Sequence, residues 1–181
     1  MKWMFAGRLA LAAFAVLAFS DRGLAFFNFF SLERVEKRVA NNYALPHLPA
    51  DTLRRWLATG DPSLVIFDVR TPAEYAVSRL PGAIQVDPDV DRRAFVEAHG
   101  PALAGKKVVF YCSVGVRSSL LGQDVERTLG AQVFNLRGGI FRWHTEGYPL
   151  ADDGGTTRRV HGYNARWSRL LEDREAVVLS P

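Results

Sequence analysis

The run Lys107-Val108-Val109-Phe110-Tyr111-Cys112-Ser113-Val114-Gly115-Val116-Arg117-Ser118 decides how this chain is read. Residues 107–111 are dominated by β-branched and aromatic side chains, the signature of a buried strand. From Val116 onward apolar residues recur at 116, 120, 121, 125 and 129, the spacing of one helix face, and Gly130 closes it. Cys112, the single cysteine of the chain, therefore stands at a strand-to-helix turn. Helix amides and the positive end of the helix dipole meet there, and both favour thiolate over thiol. Gly115 lets the backbone bend close to an anion, and Arg117 adds a fixed positive charge five residues after the sulfur. The pattern describes a cradle for an anionic sulfur.

The same alternation continues on both sides. Apolar strands are expected at 64–69, 83–86, 107–111 and 132–136, with helices from Asp51 to Gly60, from a capping box at Thr71-Pro72-Ala73-Glu74, at 92–98 before Gly100-Pro101, and after the cysteine turn. Continuous apolar strands alternating with helices predict an α/β fold, a parallel sheet covered on both faces. Sites in such sheets gather at the carboxyl ends of the strands, where Asp68, Cys112 and Arg137-Gly138 fall.

Four segments in register resemble the rhodanese family of sulfurtransferases. The cysteine-to-arginine loop is similar to its active-site loop. Phe67-Asp68-Val69-Arg70-Thr71-Pro72-Ala73-Glu74-Tyr75 resembles its first signature, and Arg79-Leu80-Pro81-Gly82-Ala83-Ile84 its second. Asn135-Leu136-Arg137-Gly138-Gly139-Ile140, with Trp143 and Gly147-Tyr148-Pro149-Leu150, resembles its C-terminal end. The resemblance covers residues 46–150 and implies a three-layer rhodanese-like domain. Three positions depart from the pattern: Arg79 replaces the usual histidine, and Ser113 and Val114 stand where some thiosulfate-using members carry basic residues.

The resemblance implies that Cys112 is the catalytic nucleophile, taking a sulfane sulfur from a small donor as a persulfide and passing it to a thiol or cyanide. Ser113, Val114, Gly115, Val116, Arg117 and Ser118 would surround that sulfur, Arg70 would face the anionic end of the donor, and Asp68 would anchor the loop. Lowering a thiol pKa from about 8.5 to about 6.5 raises its thiolate share at neutral pH from roughly 3% to roughly 75%. No cofactor is implied, and His47, His99, His144 and His161 lack metal-ligand spacing. Two other functions compete: a low-turnover binding or redox-sensing module, and a cysteine phosphatase or arsenate reductase. In the latter, five residues separate cysteine from arginine, whereas here four intervene, Ser113 to Val116.

The chain ends carry separate expectations. Lys2 and Arg8 precede the apolar run Leu9–Phe19 and the small residues Ala18 and Ser20, so residues 1–20 read as a signal peptide or membrane anchor. Export to the periplasm or another extracytoplasmic space follows, soluble or held at the membrane through the N-terminus. Leu24–Phe30 resumes the apolar character, and residues 21–45 read as an amphipathic linker helix. After Leu150, residues 152–157 read as a flexible linker and 163–173 as a short helix, so 151–181 is expected to be an extension. The formal charge of +4 includes Lys2 and Arg8, and from Ala151 onward five arginines balance five acids. That linear distribution argues against a nucleic-acid partner.

Overall fold

A computed structural model describes residues 30–129 and 131–180; the leader expected over residues 1–20 lies outside them. The first described helix, α1 (Leu32–Asn42), is capped by the Ser31 side chain. The elements then run β1 (His47–Leu48), α2 (Ala50–Thr59), β2 (Leu64–Asp68), α3 (Pro72–Val77), β3 (Ile84–Gln85), α4 (Arg92–Leu103) and β4 (Lys107–Tyr111). α5 (Val116–Leu129), β5 (Gln132–Leu136) and α6 (Gly139–Thr145) complete the α/β part.

The strands form one five-stranded, wholly parallel sheet in the order β1-β5-β4-β2-β3. β4 sits at its centre, and its alternating side chains feed two separate cores. Val109 and Tyr111 pack on one face with Ile66, Leu136 and Trp143. Val108 and Phe110 pack on the other with Phe67, Phe95, Leu121 and Val125. A strand buried on both faces must be apolar throughout, which is why 107–111 reads as a continuous run.

Several local expectations are revised. α2 starts after Pro49 rather than at an Asp51 cap, and the Asp51 carboxylate binds Arg55 instead. α4 continues through Gly100-Pro101 to Leu103, because Gly100 and Leu103 are buried against the core and hold that turn in place. α1 is no spacer. Leu32 and Val39 are buried, and the buried Glu36 pairs with Arg142 at 2.6 Å.

The extension is also part of the fold. Residues 152–157 are not a flexible linker: β6 (Leu150–Asp152) and β7 (Gly155–Thr157) make an antiparallel hairpin, tied back by the Arg79–Ala151 bridge. β8 (Val160–His161) pairs in parallel with β9 (Val177–Val178). The expected helix over 163–173 contracts to one 3-10 turn, Trp167–Leu170. Val160, Leu170 and Leu171 join the same core as Ile66 and Val109. Among the described residues, no helix is long and apolar enough to cross a membrane.

If the extension is a cooperative part of the core, Leu171→Ala should cost about 2–4 kcal/mol, the usual penalty for emptying a buried leucine site. Urea unfolding should remain one transition, with tryptophan fluorescence and far-UV signals coincident. A separate early transition of the extension would contradict this.

Candidate active site

Cys112 follows directly on β4 and is 1% exposed. The Gly115 amide donates to its Sγ at 3.2 Å. The amide of Ser118, in the first turn of α5, also faces the sulfur. Burial pushes the thiol up. The Arg117 charge and the donors from Ser118 and Gly115 outweigh it, so the pKa lies below the ordinary value. The Ser118 hydroxyl in turn donates to Asn135 Oδ1 at 2.6 Å.

What holds the loop open is the way its carbonyls are occupied. The Ile140 amide donates to the Cys112 carbonyl at 2.9 Å, and the Phe141 amide to the Ser113 carbonyl at 3.1 Å. The start of α6 lies so close that a Cβ on Gly139 would sit 2.2 Å from the Cys112 oxygen, so only glycine fits there. Gly115 has φ +101, and a Cβ there would meet Asn135 Nδ2 at 2.8 Å. With carbonyls turned toward α6, the Gly115 amide can face the sulfur.

Arg117 points to the side of the loop and grips Glu74. Its Nη1 lies 2.8 Å from Oε2 and its Nη2 2.9 Å from Oε1, a two-pronged ion pair. The Ser113 hydroxyl donates to Glu74 Oε1 at 3.0 Å, and the Thr71 amide to Oε2 at 3.1 Å. Burial raises the Glu74 pKa, but the Arg117 pair and the Thr71 amide lower it to about 2. Glu74 is thus both the closing residue of the α3 capping box and the anchor of the loop. The capping pattern was visible in sequence; the second task was not, because Arg117 is distant in the chain.

The two residues expected to serve donor and loop have other work. Arg70 is fully buried. Its Nε and Nη2 bind Asp68 at 2.8 and 2.6 Å, and Nη2 also donates to the Ser78 carbonyl at 2.6 Å. Asp68 accepts further from the Tyr111 hydroxyl at 2.6 Å, so it braces the residue before Cys112 rather than the loop itself. The Tyr111 phenol is raised well above its ordinary pKa, first by burial and then by Asp68, and stays a donor. Ser113, Val114 and Gly115 are buried, and Val116 and Arg117 are part-exposed at the rim.

The extension also reaches the site, which no motif announced. Tyr163, the one described non-glycine residue with positive φ (64°), holds its ring 5.2 Å from the Arg117 guanidinium. Its amide donates to Nδ1 of the buried His161 at 3.0 Å. A tyrosine in the left-handed region costs about 1–2 kcal/mol, a strain that the surrounding β8–β9 pair sustains.

Comparison with known proteins agrees with this geometry. The Rhodanese-like domain model matches residues 49–146. The chain belongs to the rhodanese-like domain family. A sulfurtransferase of Allochromatium vinosum is 31% identical over 103 residues, covering 57% of this chain and 92% of that protein. A tRNA uridine(34) hydroxylase of Bordetella parapertussis is 33% identical over 111 residues, 60% of this chain, and the chain spans only 46% of that relative's length. Among solved structures, a thiosulfate sulfurtransferase of Pseudomonas aeruginosa superposes with a TM-score of 0.54 at 23% identity, covering 77% of this chain and 26% of that one. A Bacillus halodurans protein gives 0.51 at 18% identity, covering 75% and 89%. At those identities the likeness is one of fold. Tyr163 lies beyond the matched family segment.

The clamp makes two linked predictions. Alkylation of Cys112 by iodoacetamide should rise with pH through a midpoint below the ordinary thiol value, and Arg117→Gln should shift that midpoint upward. Glu74, whose pKa falls on folding from about 4.5 to about 2, contributes stability complete above its unfolded pKa and lost as pH drops toward 2. Glu74→Gln should therefore lose about 3 kcal/mol at pH 7 and show a flatter acid limb in pH-dependent urea unfolding. An unchanged alkylation midpoint or an unchanged acid limb would contradict the clamp.

Proposed function

We propose that this protein is a sulfurtransferase that carries a sulfane sulfur as a persulfide on Cys112. The observation that carries the reading is a buried thiol whose sulfur accepts the Gly115 amide at 3.2 Å, in a loop with four residues between cysteine and arginine, where Arg117 and the loop amides hold its pKa below the ordinary value. A buried structural thiol would be raised instead.

The Cys112 thiolate attacks the outer sulfur of a donor, a thiosulfate-like anion or a persulfide. The new S–S bond forms as the donor's own bond to that sulfur breaks, and the electron pair leaves on the donor as sulfite or thiolate. The persulfide's outer, anionic sulfur is then held by the loop amides. A thiol or cyanide takes that sulfur in the second step, and the S–S bond's electrons return to Cys112 as thiolate. Glu74 fixes Arg117 and Ser113 throughout and exchanges no proton, since its pKa lies far below neutrality.

Two features bear on the donor. Val114 and Ser113 give the loop no cation besides Arg117, which favours a donor that does not need a strongly basic rim. The four-residue interval also makes a smaller bowl than the five-residue one of cysteine phosphatases, which suits a single sulfur over a tetrahedral oxyanion. The hydroxylase activity named for the Bordetella relative belongs to a protein of which this chain spans less than half. The charged start and the apolar run at Leu9–Phe19 support work outside the cytoplasm, which fractionation with N-terminal sequencing would test.

Native protein should form thiocyanate from cyanide with thiosulfate or a small-molecule persulfide as donor, and Cys112→Ser should abolish it with an unchanged melting temperature, because oxygen cannot hold the persulfide. Aryl phosphate should not be turned over. Retained sulfur transfer in the serine variant, or Cys112-dependent phosphatase turnover, would overturn the reading.

A further inference from the structure

A groove of about 950 Å³ opens between α1 and the 3-10 turn Trp167–Leu170, on the side of the domain next to the catalytic loop. Arg34, Lys37, Arg38, Arg166 and Arg169 line it, and all five side chains are exposed. No Asp or Glu lines it among the described residues. The acids of α1 are drawn to the other side, Glu33 to Arg142 and Glu36 to Arg137 and Arg142. The fold therefore separates the charges that the linear sequence intermixes. The arginines of the extension, balanced by acids when counted along the chain, contribute two cations to one wall.

The floor is apolar. Val35, Val39 and the loop residue Val116 form it, and Phe30, Tyr43 and Trp167 stand at its edges. Phe30 and Trp167 meet edge to face at 5.4 Å, and the Arg166 guanidinium lies 5.4 Å from the Phe30 ring. Those aromatic faces are occupied by one another and by a cation, so they offer no open platform for stacking nucleobases. An apolar floor, exposed cations and aromatic edges together match the boundary between lipid headgroups and acyl chains. The chain leading into the groove is of the same character: Phe30 ends the apolar stretch Leu24–Phe30, which follows the longer run Leu9–Phe19.

We propose that this groove is a docking face for anionic lipid headgroups, laying α1 and the Trp167–Leu170 turn against a bilayer and holding the Cys112 loop beside it. The lipid phosphates meet Lys37, Arg38, Arg166 and Arg169, while Phe30 and Trp167 sit at the level where headgroup gives way to hydrocarbon. Because Val116 belongs both to the groove and to the loop, a docked domain presents its sulfur site at a fixed height near the membrane surface. The inference does not depend on the sulfur chemistry.

The test is partition of the full-length protein onto vesicles of phosphatidylcholine alone and of phosphatidylcholine with equimolar phosphatidylglycerol. The leader, which carries Lys2 and Arg8, contributes equally in native and substituted protein, so the change on substitution isolates the groove. Each basic residue near an anionic surface is worth about fivefold in partition, so a preference on the order of 100-fold or more is expected at low salt, falling as salt rises. Lys37→Glu/Arg38→Glu/Arg169→Glu should erase the preference, and Lys37→Arg/Arg38→Lys/Arg169→Lys should keep it. Should the reversal fail to fold by circular dichroism, the Gln triple at the same positions serves, and there the preference should fall by about 100-fold. Cys112→Ser should bind like native protein, which separates this outcome from any failure of the sulfur-transfer reading. Equal partition of native protein on both vesicles would overturn the proposal. So would a preference undiminished by these substitutions, or tight binding to polyuridylate or polyglutamate without any headgroup preference.

Discussion

The ion pair between Glu74 and Arg117 is the constraint on which the site depends. It joins the first turn of α3 to the first turn of α5, and it draws Ser113 into the same carboxylate. A carboxylate accepting from Arg117, Ser113 and Thr71 is satisfied despite its burial, so the pair does not carry the usual penalty of a buried charge left short of partners. Its consequence for Cys112 is electrostatic. Arg117 is fixed beside the sulfur instead of swinging into solvent, where its charge would be screened.

The rest of the architecture serves to keep that pair and the loop in register. β4 delivers Cys112 at the carboxyl end of the sheet, and the Asp68–Arg70–Tyr111 cluster fixes the residue just before it. The amides opening α6 occupy the loop carbonyls, and Asn135 on β5 holds Ser118 from below. The extension closes one side, with Tyr163 laid on Arg117. Backbone, charge and packing thus converge on a single atom, the sulfur of Cys112. A thiol organised in this way needs no neighbouring imidazole to be ionised.

Much of this was legible in the sequence because the signals are local. The strand 107–111 and the capping box at Thr71–Glu74 each depend on neighbours within a few residues. Arg70 shows its motif in the sequence but hides its burial. It is expected to face the donor's anionic end, yet its two-pronged partner Asp68 lies two residues away and both side chains are fully buried. Glu74 showed its local role and hid its long-range one. The hairpin at 150–157 looks like a linker, since Asp-Asp-Gly-Gly is also the composition of a tight turn. The basic groove could not be read at all, because it joins helix α1 to a turn more than a hundred residues later.

The most direct measurement is the intact mass of the native protein after brief exposure to a sulfane sulfur donor and removal of excess reagent. The account predicts a gain of one sulfur atom, confined by fragmentation to the peptide containing Cys112 and discharged on adding cyanide. A mass that does not change with any thiosulfate or persulfide donor, or a gain located elsewhere than Cys112, would contradict it.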